Sequence, residues 1–227
     1  MISFQKVSKK YTNGTHALED VDLHIEDNEF IFLTGASGAG KSTMLKLLIR
    51  DEIPTGGQIF VDDWEVTSIP KSNIPHLRRR IGTIFQDFKL LPKKTVFENV
   101  AFALEILGPD QSTVEKETLE TLDLFGLGPK KDLFPWQLSG GEAQRTAIAR
   151  AFVQKPEIIL ADEPTGNLDP KAAWEVMKEL AKLNELGATV LMATHNVEFI
   201  KNLGHRVVSL EDGRLTSDSK KKEKTEN

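Results

Sequence analysis

Nine consecutive residues, rich in glycine and ending in a lysine and two hydroxyl side chains, have the composition of a phosphate-binding loop. Because glycine has no Cβ, backbone N–H groups there can approach phosphate oxygens closely. The helix predicted to begin at Lys41 adds partial positive charge at its start. Lys41 can reach the terminal phosphates of a nucleotide, and Ser42 can offer its hydroxyl to Mg²⁺. The pattern G-x-x-x-x-G-K-[ST] therefore predicts a nucleotide-phosphate site formed by Gly35, Ala36, Ser37, Gly38, Ala39, Gly40, Lys41, Ser42 and Thr43.

Two acids that follow an apolar run have the position needed to complete such a site. Residues 158–161 have the composition of a buried strand, and ligands bind at the carboxyl ends of strands in open α/β sheets. We expect Asp162 to hold Mg²⁺ through water. Side-chain alternation points Glu163 in a different direction, where its carboxylate can orient or deprotonate an attacking water.

The elements around these residues alternate between strand and helix. The short apolar runs 30–33, 158–161 and Thr189–Ala193 are typical of buried strands, whereas residues 41–50 and Pro170–Glu185 have helical patterns. Such alternation predicts an α/β fold with a mainly parallel sheet covered by helices.

The middle and the end of the chain differ from this pattern. Residues from about 90 to 150 are predicted to be helical and to form a subdomain inserted into the α/β core, so that residues 1–215 make one domain. The tail 216–227 is rich in serine, lysine and glutamate and has no large apolar residue, and we expect it to be disordered.

Composition excludes several classes of function. The chain has no cysteines, so disulfides and thiolate metal sites are excluded, which fits a reducing cytoplasm. A net charge of −5 provides no global field that attracts nucleic acid. No apolar run approaches the roughly 18–20 residues needed to span a bilayer. If the protein acts at a membrane, another chain must supply the membrane spans.

A second glycine-containing motif decides the family. The sequence Leu138-Ser139-Gly140-Gly141-Glu142 resembles the signature motif of ABC ATPases. The other motifs of that family are also present in the expected order, and the resemblance covers nearly all of residues 2–215. Gln86 resembles the Q-loop glutamine, residues 167–169 the D-loop, His195 the switch histidine, and Tyr11 the aromatic residue that stacks on adenine.

The resemblance implies a P-loop NTPase fold, with an antiparallel β subdomain and a helical subdomain beside the parallel sheet. It implies Mg²⁺-dependent hydrolysis of ATP, with two copies docked head to tail so that each nucleotide is held by one chain's phosphate loop and the other chain's signature. The catalytic residues that it implies are Lys41, Gln86, Glu163 and His195. The implied Mg²⁺ ligands are Ser42, Gln86 and Asp162. Beyond the phosphate loop, the implied ATP-binding residues are Tyr11, Ser139, Gly140, Gly141, Glu142 and Asp169.

Several of these residues also have simpler interpretations. Gln86 can be a surface glutamine, His195 a hydrogen-bonded residue at a strand end, Tyr11 a core aromatic, and Asp169 a helix N-cap before a proline. One position departs from the family pattern, since Ala143 stands where the family usually has glutamine. Ser139 and Gly141 remain, so we expect activity.

The stretch FQDFKLLPKKTVFENVAFAL, residues 85–104, resembles the branch of ABC ATPases that acts in bacterial cell division. That branch implies a homodimer in the ATP state, at the cytoplasmic face of the cell membrane, and a membrane-protein partner whose coupling helix docks near Phe88, Leu90 and Leu91. The alternative is the ATPase of a lipoprotein-release or macrolide-type exporter. ABC proteins of DNA repair are disfavoured, because no sustained heptads separate Lys41 from Ser139, and those of translation are disfavoured because the chain has one cassette.

Overall fold

The computed structural model describes residues 1–220, which form two sheets and seven α-helices. The smaller sheet is antiparallel, and β1 lies inside it between β2 and β4. Its apolar residues alternate with polar ones, since one face packs on the core and the other meets solvent. Its strands, in spatial order, are β2 (His16–Ile25), β1 (Ile2–Lys10), β4 (Gly56–Val61) and β5 (Trp64–Glu65).

The larger sheet carries the candidate site. Neighbouring strands in it run parallel, except that β10 at one edge is antiparallel to β9. The predicted mainly parallel sheet with an antiparallel β subdomain is thus confirmed. The strands, in spatial order, are β10 (Arg214–Asp218), β9 (Arg206–Glu211), β3 (Phe30–Thr34), β8 (Thr189–Ala193), β7 (Ile158–Asp162) and β6 (Ile81–Phe85).

Both faces of the parallel sheet are buried, which explains its continuous apolar runs. Ile31 and Leu33 of β3 face one hydrophobic cluster, which also contains side chains of the first helix and the antiparallel sheet. Phe30 and Phe32 face a second cluster, formed with the helices of the middle of the chain. The strands are therefore fixed on both sides, and the loops at their carboxyl ends start from rigid positions.

Helices surround the larger sheet, and three of them follow β6 and precede β7. We call these three, α3 to α5, the helical subdomain. They lie within the segment predicted to be helical, residues from about 90 to 150, apart from the last two residues of α5. The helices are α1 (Lys41–Leu48), α2 (Ile74–Arg79), α3 (Val96–Glu105), α4 (Gln111–Leu124), α5 (Gly140–Phe152), α6 (Pro170–Glu185) and α7 (Val197–Leu203).

The prediction of a disordered tail from residue 216 is wrong at its start, because the strand β10 continues to Asp218. Residues 216–218 belong to β10, and the Arg206 guanidinium donates hydrogen bonds of 2.9 and 2.8 Å to the two carboxylate oxygens of Asp218. The sequence pattern missed this strand because Asp218 is held by an arginine twelve residues earlier rather than by apolar surface. Residues 221–227 of the expected tail lie outside the described part of the chain.

Within residues 1–220, no helix combines the length and the apolar composition required to cross a membrane.

Candidate active site

The predicted phosphate loop connects the end of β3 to the start of α1. Gly40 is the N-cap of α1 with a φ of 107°, and a Cβ on it would lie 2.4 Å from the carbonyl oxygen of Ala17. Gly38 has a φ of 82° and open space where a Cβ would stand. Only glycine combines these dihedral angles with this absence of a side chain. The loop is therefore an open cradle that leads to a helix N-terminus, as a phosphate group requires.

The Lys41 side chain folds back over this loop and is only 6% exposed. Its ammonium group donates hydrogen bonds to the carbonyl oxygens of Gly35, at 2.8 Å, and Ala36, at 3.0 Å. The Glu163 carboxylate lies 3.8 Å away. The positive charge is thus held above the cradle, within the reach of a bound phosphate.

Ser42 and Asp162 form the candidate magnesium site. The Ser42 hydroxyl, on the first turn of α1, donates a 3.0 Å hydrogen bond to the Asp162 carboxylate at the end of β7. Burial raises the pKa of Asp162 above its ordinary value, and the charge of Glu163 adds to this, while the Ser42 hydrogen bond opposes it. A hydroxyl and a carboxylate beside the phosphate cradle fit Mg²⁺, which prefers oxygen ligands. A divalent cation would also relieve the unfavourable environment of this carboxylate.

Glu163 contacts Lys41 and His195, whereas Asp162 contacts Ser42. The two side chains thus differ in their partners, but Glu163 lies beyond the end of β7, so strand alternation does not set its direction. Its backbone is left-handed, with a φ of 47°, and its N–H donates a 3.0 Å hydrogen bond to the Ala193 carbonyl at the end of β8. A left-handed backbone costs a residue with a side chain about 1–2 kcal/mol. The Glu163 carboxylate lies 3.1 Å from Nδ1 of His195, which is 71% exposed. The strained backbone aims the carboxylate into the space between Lys41 and His195.

Gln86, just after β6, is engaged with the loop that follows β7. Its side-chain amide donates to the Asn167 side chain at 3.3 Å, and the Asn167 amide donates to the Gln86 carbonyl at 3.1 Å. A Cβ on Gly166 would lie 2.7 Å from the Gln86 side-chain nitrogen, so glycine makes room for this contact. Among the described residues, no hydrogen bond joins Gln86 to Ser42 or Asp162. Sequence reasoning missed Asn167, although it lies within the D-loop motif.

Tyr11 lies beside the end of the phosphate loop. Its hydroxyl is 3.3 Å from the hydroxyl of Thr43, which is buried on α1. The Lys9 ammonium lies 4.9 Å from the centre of the Tyr11 ring. The ring is half-buried and is therefore available as a flat surface next to the phosphate cradle.

The signature motif forms the start of α5, which begins at Gly140. Ser139 is the N-cap, and its hydroxyl accepts a 3.3 Å hydrogen bond from the Glu142 N–H. In return, the Ser139 N–H and hydroxyl each donate a 2.8 Å hydrogen bond to the Glu142 carboxylate. These hydrogen bonds, aided by Lys130 at 3.4 Å, lower the pKa of Glu142. The helix start is thus capped by its own first turn.

The signature motif lies beside the D-loop rather than beside the phosphate loop. A Cβ on Gly140 would lie 3.2 Å from Leu168, and one on Gly141 would lie 3.1 Å from Ala172. Asp169 is the N-cap of α6, where its carboxylate accepts two 3.0 Å hydrogen bonds from backbone N–H groups. Among the described residues, no hydrogen bond or ion pair joins residues 139–142 to the phosphate loop, residues 35–43. The chain therefore presents two separate candidate phosphate-binding loops.

The chain belongs to the ABC transporter family of ATPases, whose family pattern matches residues 18–166. Within this family it groups with cell-division ATP-binding proteins named FtsE. It is 51% identical to the FtsE of Bacillus subtilis over 223 residues, which cover 98% of each chain. It is 47% identical to the FtsE of Streptococcus pneumoniae over 223 residues, which cover 98% of this chain and 97% of that one.

A solved structure supports the same assignment. The ATP-binding cassette MJ0796, in a dimeric post-hydrolysis state bound to ADP and Pi, superimposes with a TM-score of 0.87 at 37% identity. The match covers 96% of this chain and 98% of that chain. The chain is therefore an ABC-type ATPase of the FtsE group.

Proposed function

We propose that two copies of this chain close head to tail around two ATP molecules, and that this closure drives a membrane partner, FtsX, which regulates peptidoglycan hydrolysis during cell division. One observation carries the dimer. The signature loop at Ser139 is exposed and has no bond to the phosphate loop of its own chain, so a second chain is needed to bring the two loops to one nucleotide. The dimeric cassette with ADP and Pi supports this arrangement.

In this arrangement, Lys41 and the backbone N–H groups of the phosphate loop hold the terminal phosphates. Ser42 and Asp162 would hold Mg²⁺, with Gln86 as a further ligand once it leaves Asn167. The ion would neutralise charge on the phosphate oxygens. Tyr11 would stack on adenine, whose flat face suits an aromatic ring.

Glu163 has the position of the general base. It accepts a proton from water as the water oxygen bonds to the γ-phosphorus and the bond from that phosphorus to the bridging oxygen breaks, which gives ADP and phosphate. His195, which contacts Glu163, would hold the γ-phosphate from its exposed side. From the partner chain, Ser139, Gly140, Gly141 and Glu142 would bind the same phosphate, with Asp169 beside them.

The partner would dock where the chain leaves β6. Phe88, Leu90 and Leu91 are each partly exposed there, although they are apolar. Lys89 of the same segment lines a cavity of about 540 Å³, whose apolar walls include Leu45 and Ile49. Apolar side chains at a groove are what an amphipathic helix of a partner requires. We place the protein at the cytoplasmic face of the cell membrane, where its membrane contact is through FtsX.

Affinity purification from native membranes tests this proposal. Tagged protein should co-purify FtsX, identified by mass spectrometry, and Leu90→Glu should abolish that co-purification while ATP binding stays unchanged. Leu186→Glu is the matched control, because Leu186 is also an exposed leucine, at the end of α6, and its replacement should preserve co-purification. Recovery of an exporter permease instead of FtsX would support the exporter alternative. Unchanged co-purification with Leu90→Glu would refute the docking site.

A further inference from the structure

The segment between the Q-loop and the helical subdomain, residues 88–95, contains an unusual backbone. Phe88 and Lys89 both have left-handed dihedral angles, with φ values of 60° and 50°. Neither residue is glycine, and two consecutive left-handed residues cost about 1–2 kcal/mol each. Such a conformation persists only when surrounding contacts determine it.

Arg150, near the end of α5, supplies those contacts. Its guanidinium donates a 2.9 Å hydrogen bond to the Phe88 carbonyl and a 2.7 Å hydrogen bond to the Lys89 carbonyl. No carboxylate of residues 1–220 forms an ion pair with it, and burial lowers its pKa. A desolvated cation without a carboxylate is costly, so these two carbonyl groups are its main compensation. The planar fork of arginine matches two adjacent acceptors, which the single ammonium of lysine does not.

Asn99, on α3, holds the other end of the same segment. Its side chain is fully buried, and its oxygen accepts a 2.7 Å hydrogen bond from the Leu91 N–H. Its amide group donates to the carbonyl oxygens of Leu91, Lys94 and Thr95 at 3.2, 2.9 and 2.8 Å. The hydrogen bonds of Arg150 and those of Asn99, which together we call the clamp, thus both come from the helical subdomain. Gln86, which precedes the segment, is instead bonded to Asn167 of the core.

We propose that Arg150 and Asn99 are positioning residues that bind residues 88–95 to the helical subdomain, so that a partner docked on this segment moves the signature loop with it as one body. Arg150 and Ser139 lie on the same helix, α5, and this helix transmits the displacement over its length. This inference rests on the proposed docking of a membrane partner at Phe88 and Leu90.

Hydrogen exchange of the isolated chain tests the clamp without any partner. Arg150→Met should make the backbone amides of residues 88–91 exchange at least tenfold faster than in the parent protein, while those of residues 141–149 stay unchanged. Arg145→Met is the matched control, because Arg145 lies on the same helix but pairs with Glu175 of α6 at 2.8 Å. It should leave exchange in residues 88–91 unchanged. Equal exchange in Arg150→Met and the parent would overturn the clamp.

ATP turnover of the complex with FtsX tests the coupling. Arg150→Met should keep the KM for ATP and, within about threefold, the kcat of the isolated chain, but the effect of FtsX on kcat should fall about tenfold, a change typical of altered coupling between sites. An unchanged response to FtsX, together with faster exchange, would overturn the coupling role. If Arg150→Met does not fold, Arg150→Lys takes its place with the same expectations. A parent protein that does not respond to FtsX would refute the proposed function and leave the exchange result standing.

Discussion

The phosphate loop and the signature loop are both helix starts with glycine, yet their contacts differ in range. Ser42 bonds to Asp162 and Lys41 approaches Glu163, so the phosphate loop is joined to residues more than a hundred positions away. Among the described residues, the hydrogen bonds of Ser139 go only to Glu142 and Ala143, three and four residues along the chain. The contacts of the phosphate loop depend on the tertiary fold, whereas the hydrogen bonds of the signature loop are made within its own first helical turn.

This difference indicates how the catalytic machinery is divided. The loops after β3, β7 and β8 bring Lys41, Asp162, Glu163 and His195, the residues that we propose for hydrolysis, together within one chain. In the proposed dimer, the signature loop adds a further phosphate contact only when a second chain meets it. Substitutions in the first loop should therefore affect turnover most, and those in the second should affect association.

The largest effect is expected from Glu163→Gln. The amide keeps the shape of the side chain but cannot accept a proton, so turnover should fall about 10²–10⁴-fold, the usual contribution of a general base. ATP binding should change little, because the phosphate loop is intact. Phosphate release and equilibrium nucleotide binding measure the two quantities. Glu185→Gln, an exposed glutamate at the end of α6, is the control and should keep full turnover; comparable turnover in both variants would remove Glu163 from the mechanism.

Ser139→Ala should have an intermediate effect, on association. In a Glu163→Gln background, ATP-dependent dimerisation should weaken at least about tenfold, since one charge-assisted hydrogen bond is worth about 1.5–3 kcal/mol. Nucleotide affinity of the monomer should not change. Thr95→Ala is a matched control, because Thr95 forms the same type of capping box with Glu98 at the start of α3. Light scattering with and without Mg-ATP compares them, and equal losses in both variants would reduce Ser139 to a helix cap.

Tyr11→Ala should weaken ATP binding by up to about tenfold, because an aromatic stack contributes about 0.5–1.5 kcal/mol. Tyr11→Phe keeps the ring and loses only the contact of the hydroxyl with Thr43, so its affinity should stay within about twofold to threefold of the parent. Tripolyphosphate, which has no base, should bind equally to all three proteins. A loss of tripolyphosphate affinity in Tyr11→Ala would show that the ring supports the loop rather than adenine.

The smallest effect should come from His205, which directly precedes β9 and so lies at the amino ends of the parallel strands, away from the candidate active site. Its ring stacks on Phe30 at 4.3 Å between centroids, and burial lowers its pKa. The unfolded chain therefore binds this proton more readily, so the free energy of unfolding should fall as the pH drops through about 6.5. His205→Gln should flatten this dependence without affecting turnover, as measured by chemical denaturation between pH 5 and 8. The exposed His16→Gln should keep the slope; an unchanged slope in His205→Gln would contradict the assignment.

The sequence revealed those parts of the site that depend on local composition. The phosphate loop, the acids after β7 and the signature motif are contiguous, so glycine spacing and an apolar run were enough to find them. The different partners of Asp162 and Glu163 do not follow from strand alternation, because β7 ends at Asp162 and the backbone of Glu163 is left-handed. The parallel sheet could be predicted because its strands are continuous apolar runs buried on both faces.

The remaining features depend on contacts between distant residues. Nothing in the local sequence indicates that Glu163 adopts a left-handed backbone, that Asn167 holds Gln86, or that Arg150 bonds to the carbonyls of Phe88 and Lys89. The strand β10 escaped detection for the same reason, since Arg206 holds it through Asp218. Each of these features exists only after the sheet has formed.

Cross-linking tests the division of the site between two chains most directly. Since the chain contains no cysteine, Ser37→Cys and Gln137→Cys can each be introduced alone into the Glu163→Gln protein. Both positions are exposed, one in the phosphate loop and the other two residues before Ser139. Mixed together with a short bifunctional thiol reagent, the two proteins should form a cross-linked heterodimer with Mg-ATP and none without nucleotide. Equal cross-linking with and without Mg-ATP, or none in either case, would contradict the account.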